Sequence, residues 1–376
     1  MAEYLTNTAD LTVVADVIRA KGGTSAPLVY PDGFATAIQA IQTGTELQII
    51  VTVKSGATVT ATKGSLSVSG TSVNGTCTLI VPEAGTWSVS ATLDGKTSDT
   101  KSVSITDSYA VSLNFVDPLL NNNTWETIKS ISDAGQGANY WSIGDRKAVT
   151  LDGTVGDLTL SNYTTYAFII GFNHNASVEG ANRIHFQLAK TALSGGTDVA
   201  LCDSYYSSYK NTGVGFVMNT GNSNFGGWAS SNMRTGTCGT SLSSYSSTII
   251  AAIPAALRAV LKSVTKYTDN TGGGNPSANN VTATTDYFFL LSELEVFGSI
   301  SRANPNEASK QAQYAYYSAG NSKIKYKHNG TAAAAIWWLR SPSTTTSNVF
   351  VDVTTGGTVD INIAYYSLGF APGFCV

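Results

Sequence analysis

The chain has 376 residues, 42% of them hydrophobic, 10% aromatic and only 12% charged, with 22 Lys plus Arg against 25 Asp plus Glu. A charged fraction near half of the usual ~25%, with no shortage of apolar residues, excludes a disordered chain, and the formal charge of -3 without any basic run excludes nucleic-acid binding through charge. No apolar run is long enough to predict a membrane-crossing helix, and the opening Met-Ala-Glu-Tyr-Leu-Thr-Asn lacks the basic and apolar regions of an export signal, so synthesis in the cytoplasm without a signal peptide is expected.

Residues 1–45 read as a short helical segment. Asp10 is placed to cap a run in which Leu11, Val14, Val17 and Ile18 recur at helical spacing, and Lys21-Gly22-Gly23 ends it. A second short helix opens at Pro31-Asp32, carries Phe34, Ile38 and Ile41 on its apolar stripe and stops at Thr43-Gly44. Two helices this short bury little core alone, so this segment is expected to attach to a partner or to copies of itself, as in a homotrimer.

From 46 to 115 the period changes to alternation. Leu47 to Val53, Ser65 to Ser69, Thr76 to Val81, Gly85 to Ala91 and Ser102 to Thr106 are short β runs separated by Gly, Ser, Asn and Asp turns. Regular short strands over such a stretch predict a small immunoglobulin-like β-sandwich with Trp87 in its core.

Residues 116–376 read as one larger α+β unit, so that the chain as a whole is mainly β. Helices are expected at Thr124 to Ile131 and at Ile253 to Leu261, the second with Pro254 in its first turn, and strands at Tyr166 to Phe172, Arg183 to Gln187 and Tyr287 to Leu291. Long Ser-, Tyr-, Asn- and Gly-rich loops such as Ser204 to Lys210 and Thr271 to Ser277 lie between them. Near the end, Val349 to Val353 and Thr358 to Ile363 flank Thr354-Thr-Gly-Gly357 as a β-hairpin.

Groups able to do chemistry are sparse. Cys77, Cys202, Cys238 and Cys375 are far apart in the chain with no Cys-x-x-Cys pair, which predicts buried or free thiols rather than disulfides, and no metal or cofactor is expected. His174, His185 and His328 are isolated. Asp286, Glu293 and Glu295 lie close together in sequence, and such carboxylates could hydrolyse a glycoside if the fold set them ~5–10 Å apart. A strand end leading into a Ser292-capped turn explains them without catalysis.

The most specific pattern is C-terminal. Trp337-Trp338-Leu-Arg-Ser-Pro342, Gly356-Gly357, Gly369-Phe-Ala-Pro-Gly-Phe-Cys-Val376 and Phe288-Phe-Leu-Leu-Ser-Glu-Leu-Glu295 resemble the framework of a C-type lectin-fold domain. They are most similar to the variable proteins of diversity-generating retroelements, over most of 124–376, including Trp125, Tyr140 to Asp145 and Gly226 to Arg234. The pattern from Leu11 to Ile41, with Lys21-Gly-Gly-Thr24 and Tyr30-Pro-Asp-Gly-Phe34, resembles the openings of phage tail proteins. No Glu-Pro-Asn or Gln-Pro-Asp motif is present, so calcium-mediated sugar binding is not expected. The cysteine pair of the formylglycine-generating enzymes, which share the broad fold, has no counterpart.

This resemblance implies a non-enzymatic adhesin of the phage tail tip whose variable region, about 338–376, binds a host-surface protein or glycan while the N-terminal segment joins other tail proteins, the virion tail being its location. Adenine randomisation of asparagine codons in that family cannot yield Lys, Glu, Gln, Met or Trp, and none of the five occurs from Ser343 to Phe370. The implied binding residues are Ser343, Thr344, Thr345, Val349, Asp352, Thr354, Thr358, Asp360, Ile361, Ile363, Tyr365, Tyr366, Leu368 and Phe370. Phe350, Val353, Val359, Ala364 and the tandem Trp337 and Trp338 are expected in the core. Two other readings are a carbohydrate-active enzyme acting on surface polysaccharide through Asp286, Glu293 and Glu295, and a bacterial surface adhesin of the same fold.

Overall fold

The computed structural model describes residues 8–22, 26–40, 46–206 and 215–376, which form two compact units, 1–89 with 102–112 and 90–101 with 113–376. The architecture is mainly β, with several separate sheets and short helices. Residues 90–101 therefore group with the C-terminal unit rather than with the strands before them, which departs from the boundary expected near 115.

In the first unit, the helix Thr8–Gly22 includes Asp10 in its first turn rather than starting after it. Ala15 and Ile18 meet Phe34 of the helix Asp32–Ala40, with Leu11, Leu28 and Ala37 around them. The buried line is thus Leu11, Ala15 and Ile18, while Val14, Val17 and Ile38 are exposed, because a single short partner helix covers only a narrow stripe. Ile41 and the expected stop at Thr43-Gly44 lie outside the described residues.

The same unit holds a three-stranded sheet in the order Thr76–Ile80, Gln48–Thr52, Ser108–Ser112. The first pair is antiparallel and the second parallel. The hairpin Thr58–Lys63 with Leu66–Thr71 begins a second sheet that continues to the strand Gly85–Leu93. Ile49, Val51, Val59, Ala61, Trp87 and Val89 are fully buried at alternate positions, and the Trp87 Nε1 donates to the Glu83 carbonyl at 3.1 Å. The strands Thr58–Lys63 and Ser108–Ser112 were not expected from the sequence; in the first, only Val59 and Ala61 carry the alternation.

In the second unit, an antiparallel sheet runs in the order Phe288–Phe289, Gly373–Cys375, Ile184–Lys190, Leu158–Phe172, Arg146–Val155. Every residue of Ile184–Lys190 is buried, so its polar members need partners: the Gln187 Nε2 donates to the Ala371 carbonyl at 3.0 Å and its Oε1 accepts from the Tyr317 hydroxyl at 2.7 Å. The helix Trp125–Asp133 starts as expected, with the Thr124 hydroxyl accepting from the Thr127 N–H, and delivers Trp125 edge-on to Phe186 and Phe374.

The expected helix from Ile253 to Leu261 is instead two single turns, Ile249–Ala252 and Ala255–Arg258, divided at Ile253-Pro254. Proline cannot donate into the ladder, and the Arg258 guanidinium takes up the carbonyls of Ile250, Ala251 and Ile253 left open by the break. All four cysteines are free and buried. Among the described residues no helix is long and apolar enough to cross a membrane.

Candidate functional site

The C-terminal hairpin forms as expected. Val349–Val353 is the central strand of a three-stranded antiparallel sheet, flanked by Trp337–Pro342 and by the edge strand Val359–Ile363, with Val349 opposite Ile363 and Val353 opposite Val359. The central strand is buried at all five positions, whereas the edge strand is half-buried or exposed along its length. Phe350, Val353, Ala364, Trp337 and Trp338 are fully buried and Val359 is half-buried, and the two indoles donate to the carbonyls of Lys323 and Phe216.

The residues expected on one exposed face divide into two groups. Thr345, Thr358 and Asp360 are exposed, and Thr344, Thr354, Ile361, Ile363, Tyr365 and Tyr366 are half-buried, in the loop after Pro342, the hairpin turn, the edge strand and the turn that follows it. Ser343, Val349, Asp352, Leu368 and Phe370 are buried and are not displayed. Val349 and Asp352 lie in the central strand, covered from both sides. Ser343 is held by its bridge to Ala303 and by a hydroxyl contact to Thr345 at 2.9 Å. The Leu368 N–H bonds the Phe216 carbonyl, and Phe370 stacks on Phe216 at 5.2 Å and pairs its backbone with Leu201. Burial pushes the Asp352 carboxyl up to about 7, with nearby Asp360 adding to the shift against the Asn362 amide that bonds its Oδ2 at 2.8 Å; its Oδ1 has no hydrogen-bond partner.

A second element joins the face that sequence reasoning missed. Asn224 is fully buried, and its amide donates to the carbonyls of Ser343, Thr346 and Val349 at 3.3, 3.0 and 2.9 Å. Its side-chain oxygen accepts from the Gly273 N–H at 2.8 Å, and its own N–H donates to the Ser347 carbonyl. Three loops, 219–226, 270–277 and 343–348, therefore converge on one side chain. Gly272 and Gly274 have positive φ, and a Cβ at Gly272 would stand 2.1 Å from the Asn224 carbonyl oxygen, so the approach of the second loop requires glycine there. Phe225, 64% exposed, stands beside this junction. The surface gathered here consists of hydroxyls, amides, Tyr365, Tyr366 and Phe225, with Asp360 the one exposed charge within 343–376.

Behind the face lies a buried ionic web. Lys266 Nζ donates to Glu179 at 2.6 Å, Glu295 at 2.9 Å and the Tyr314 hydroxyl at 2.8 Å, and Arg340 clamps both oxygens of Glu295. Burial pushes Glu179 up to about 7 against the pull of Lys266. Burial opposes ionisation of Glu295 as well, but Arg340 and Lys266 outweigh it and hold this carboxylate below its ordinary range. His174, stacked on Tyr314 at 3.7 Å, is held down to about 3 by burial and by Lys266. His174, Glu179 and Glu295 bring ligand atoms within 4.8 Å of one another, as a metal site would. The donor set does not fit one, since the Lys266 ammonium already stands between the two carboxylates and Arg340 engages the second.

The carboxylates considered for glycoside hydrolysis are not assembled on a cleft. Asp286 is taken by the Trp228 indole, Arg234 and the Thr284 hydroxyl, Glu293 by the N–H groups of Ser301, Arg302 and Ala303, and Glu295 by the web, and each is at most 1% exposed. Ser292 caps the turn Glu293–Phe297, as the sequence predicts, and the structure completes the cap as a reciprocal capping box with Glu295. His185 lies in the web beside the Tyr314 hydroxyl and the Cys375 thiol, and His328 accepts from the Cys202 N–H. One signal for the web was present in the sequence. In Val264–Asp269, Lys266 is in phase with Val264 and Thr268, a charged residue on the inward side of a strand.

No curated protein matches the chain in sequence. Residues 216–376, which include Lys266, Glu295, Tyr314 and Arg340 of the web, the Asn224 junction and the C-terminal hairpin, match a family described as a domain of unknown function, DUF6273.

Proposed function

We propose that the protein is a binding protein whose second unit is a C-type lectin-like scaffold displaying a retroelement-diversified face toward a host-surface protein or glycan, in the setting of a phage tail tip. The observation that supports this reading is the loop junction: a surface of amides, hydroxyls and aromatic rings, almost free of charge, is held on buried scaffold by Asn224. Rigid Tyr side chains and short hydroxyls give contact area at small entropic cost. In this reading the strands of 46–115 act as an immunoglobulin-like spacer and the N-terminal helices attach the chain to other tail proteins, with trimerisation multiplying weak single contacts. The binding residues are the accessible subset, Thr344, Thr345, Thr354, Thr358, Asp360, Ile361, Ile363, Tyr365 and Tyr366, joined by Phe225. The buried state of Asp286, Glu293 and Glu295 gives the carbohydrate-active reading no open acid pair, and a bacterial surface adhesin would differ only in where the same face is displayed.

Cell-binding assays test the reading. Combined replacement of Thr345, Thr358 and Asp360 by Ala is expected to lower attachment to host cells at least tenfold with the melting temperature unchanged. Full attachment by a folded triple variant that also carries Phe225→Ser overturns it. The diversified origin is tested in the neighbouring DNA, where a near-identical repeat of the codons for about 338–376, differing at adenines, is expected beside a reverse transcriptase gene.

A further inference from the structure

Elsewhere in the second unit, the strand Val199–Ala200 runs parallel to Lys325–Lys327, with Val199 opposite Tyr326. Asp198 and Lys325, the residues just before that pair, are neighbours across the two strands, and the Tyr326 N–H donates to the Asp198 carbonyl at 2.8 Å. The Lys325 side chain is 1% exposed, and its amine has no hydrogen-bond partner. It faces the rings of Trp337 at 5.0 Å and Phe168 at 5.4 Å, and its nearest acidic atom is the Asp198 Oδ2 at 4.0 Å. An ammonium with no acceptor is costly in such surroundings, and burial brings Lys325 down to about 8, so that an uncharged amine is accessible near neutrality.

The carboxyl group facing it is held at both oxygens by proton donors. Lys190 Nζ bonds the Oδ1. The Tyr316 hydroxyl donates to the Oδ2 at 3.3 Å and accepts from Lys190 at 2.9 Å, and burial together with Asp198 raises Tyr316 so that it keeps its proton. Donors on both oxygens withdraw electron density from Cγ and stabilise the negative charge that builds there during attack. The constellation is therefore a desolvated amine, a polarised carboxyl and two donors, Lys190 on its strand and Tyr316 on the helical turn Ala315–Ser318.

We propose that Lys325 and Asp198 form an intramolecular amide, an isopeptide bond between the two parallel strands. The Lys325 Nζ lone pair attacks the Asp198 Cγ, the N–C bond forms, and one carboxyl oxygen leaves as water. Its two protons come from the amine, as it passes from –NH₂ to amide –NH–, and from the Lys190 ammonium bonded to the carboxylate, which recovers the proton that Lys325 gave up on becoming –NH₂, with Tyr316 relaying the transfer. No oxidant, reductant or further reactant is needed. Amide formation is unfavourable in dilute aqueous solution, but effective molarities of ~10⁵–10⁸ M for well-oriented groups, together with a site from which water is excluded, reverse that balance. The bond would tie together two strands that pair over only two residues.

Intact mass of the denatured full-length protein tests this directly. The expected mass lies one water below that of the sequence, and proteolysis releases a branched peptide joining Asp198 to Lys325. Lys325→Met is expected to show the full sequence mass and a lower melting temperature, Asp198→Asn to lose one ammonia in place of water, and Tyr316→Phe to leave a measurable uncrosslinked fraction in freshly made protein. The full sequence mass in the native chain, with Lys325 open to amine-reactive labelling after denaturation, overturns the proposal, as does a branched peptide at Lys190. Because the native chain alone decides, a variant that fails to fold does not obscure the result.

Discussion

The interior of the second unit contains Glu179, Lys266, Glu295, Glu307 and Arg340, each at most 3% exposed, whereas the rim formed by 344–348 and 354–366 offers amides, hydroxyls and rings with a single carboxylate. In a chain with only 12% charged residues, this cluster sets five of them where water is nearly absent. Within the web each charge is tied to a partner at a fixed distance, so the web tolerates one arrangement. Outside, neutral groups make interactions that neither depend on salt nor require a fixed counter-ion. The difference teaches that this protein uses charge to define its scaffold and neutral polarity to present its surface.

Lys266→Met is the most direct way to break that contrast. It leaves Glu179 and Glu295 sharing buried space without their common cation, and removing one partner of a buried pair typically costs ~3–5 kcal/mol. A loss of that size in chemical denaturation is expected; a loss under ~1 kcal/mol would show that the web is replaceable.

Asp352 sharpens the comparison through pH. Its carboxyl is raised from 3.8 to about 7, so its contribution to stability is fully present below the unfolded value and is lost as pH rises through about 7. Asp352→Asn removes this dependence. Relative to the native chain, the variant is expected to gain stability between pH 4 and pH 8 by up to about 4 kcal/mol, whatever its constant offset. Thermal melts across that range check it, and a gap independent of pH refutes the assignment.

Asn224→Ala tests the boundary between the two regions. Losing a buried amide that satisfies several carbonyls is expected to cost ~1–3 kcal/mol. Hydrogen exchange should rise at the Ser347-bonded amide and at Gly273 while the amides of 146–172 stay protected. Equal loosening of both would place Asn224 in the global core instead. At the small end, Thr345→Ala, Thr358→Ala and Asp360→Ala are each expected to change stability by no more than ~0.5 kcal/mol, which a melting series would check.

Much of this was legible in the sequence because single residues carried local instructions. Thr124 marked the start of its helix, Ser292 marked a capped turn, and alternation around Ile49, Val51, Trp87 and Val89 marked strands. The strand Arg146–Val155 was hidden because Lys147 occupies an inward position and Gly153 interrupts the pattern. Pro254 was misread because proline at a helix start and proline between two turns look alike until the preceding turn is known. The candidate face was half legible. Its loops were located, but alternation shows which residues share a side, not whether a second layer covers that side. Phe216 and the residues after it cover Trp338 and Phe370, and Ala364 pairs with Asn219, contacts that no local period encodes. Asn224 left no mark because an asparagine in a Gly- and Ser-rich loop usually serves its own turn.

What Asn224 holds has a further consequence. All three acceptors of its amide are main-chain carbonyls, and the group it accepts from is a main-chain N–H. Such a grip is blind to side-chain identity. Residues 344–348 can be rewritten almost freely without loosening the clasp, while inserting or deleting one residue there would pull the carbonyls out of reach. The junction therefore permits variation in spelling and forbids variation in length, which is the tolerance a surface needs if many versions of it are to share one fold.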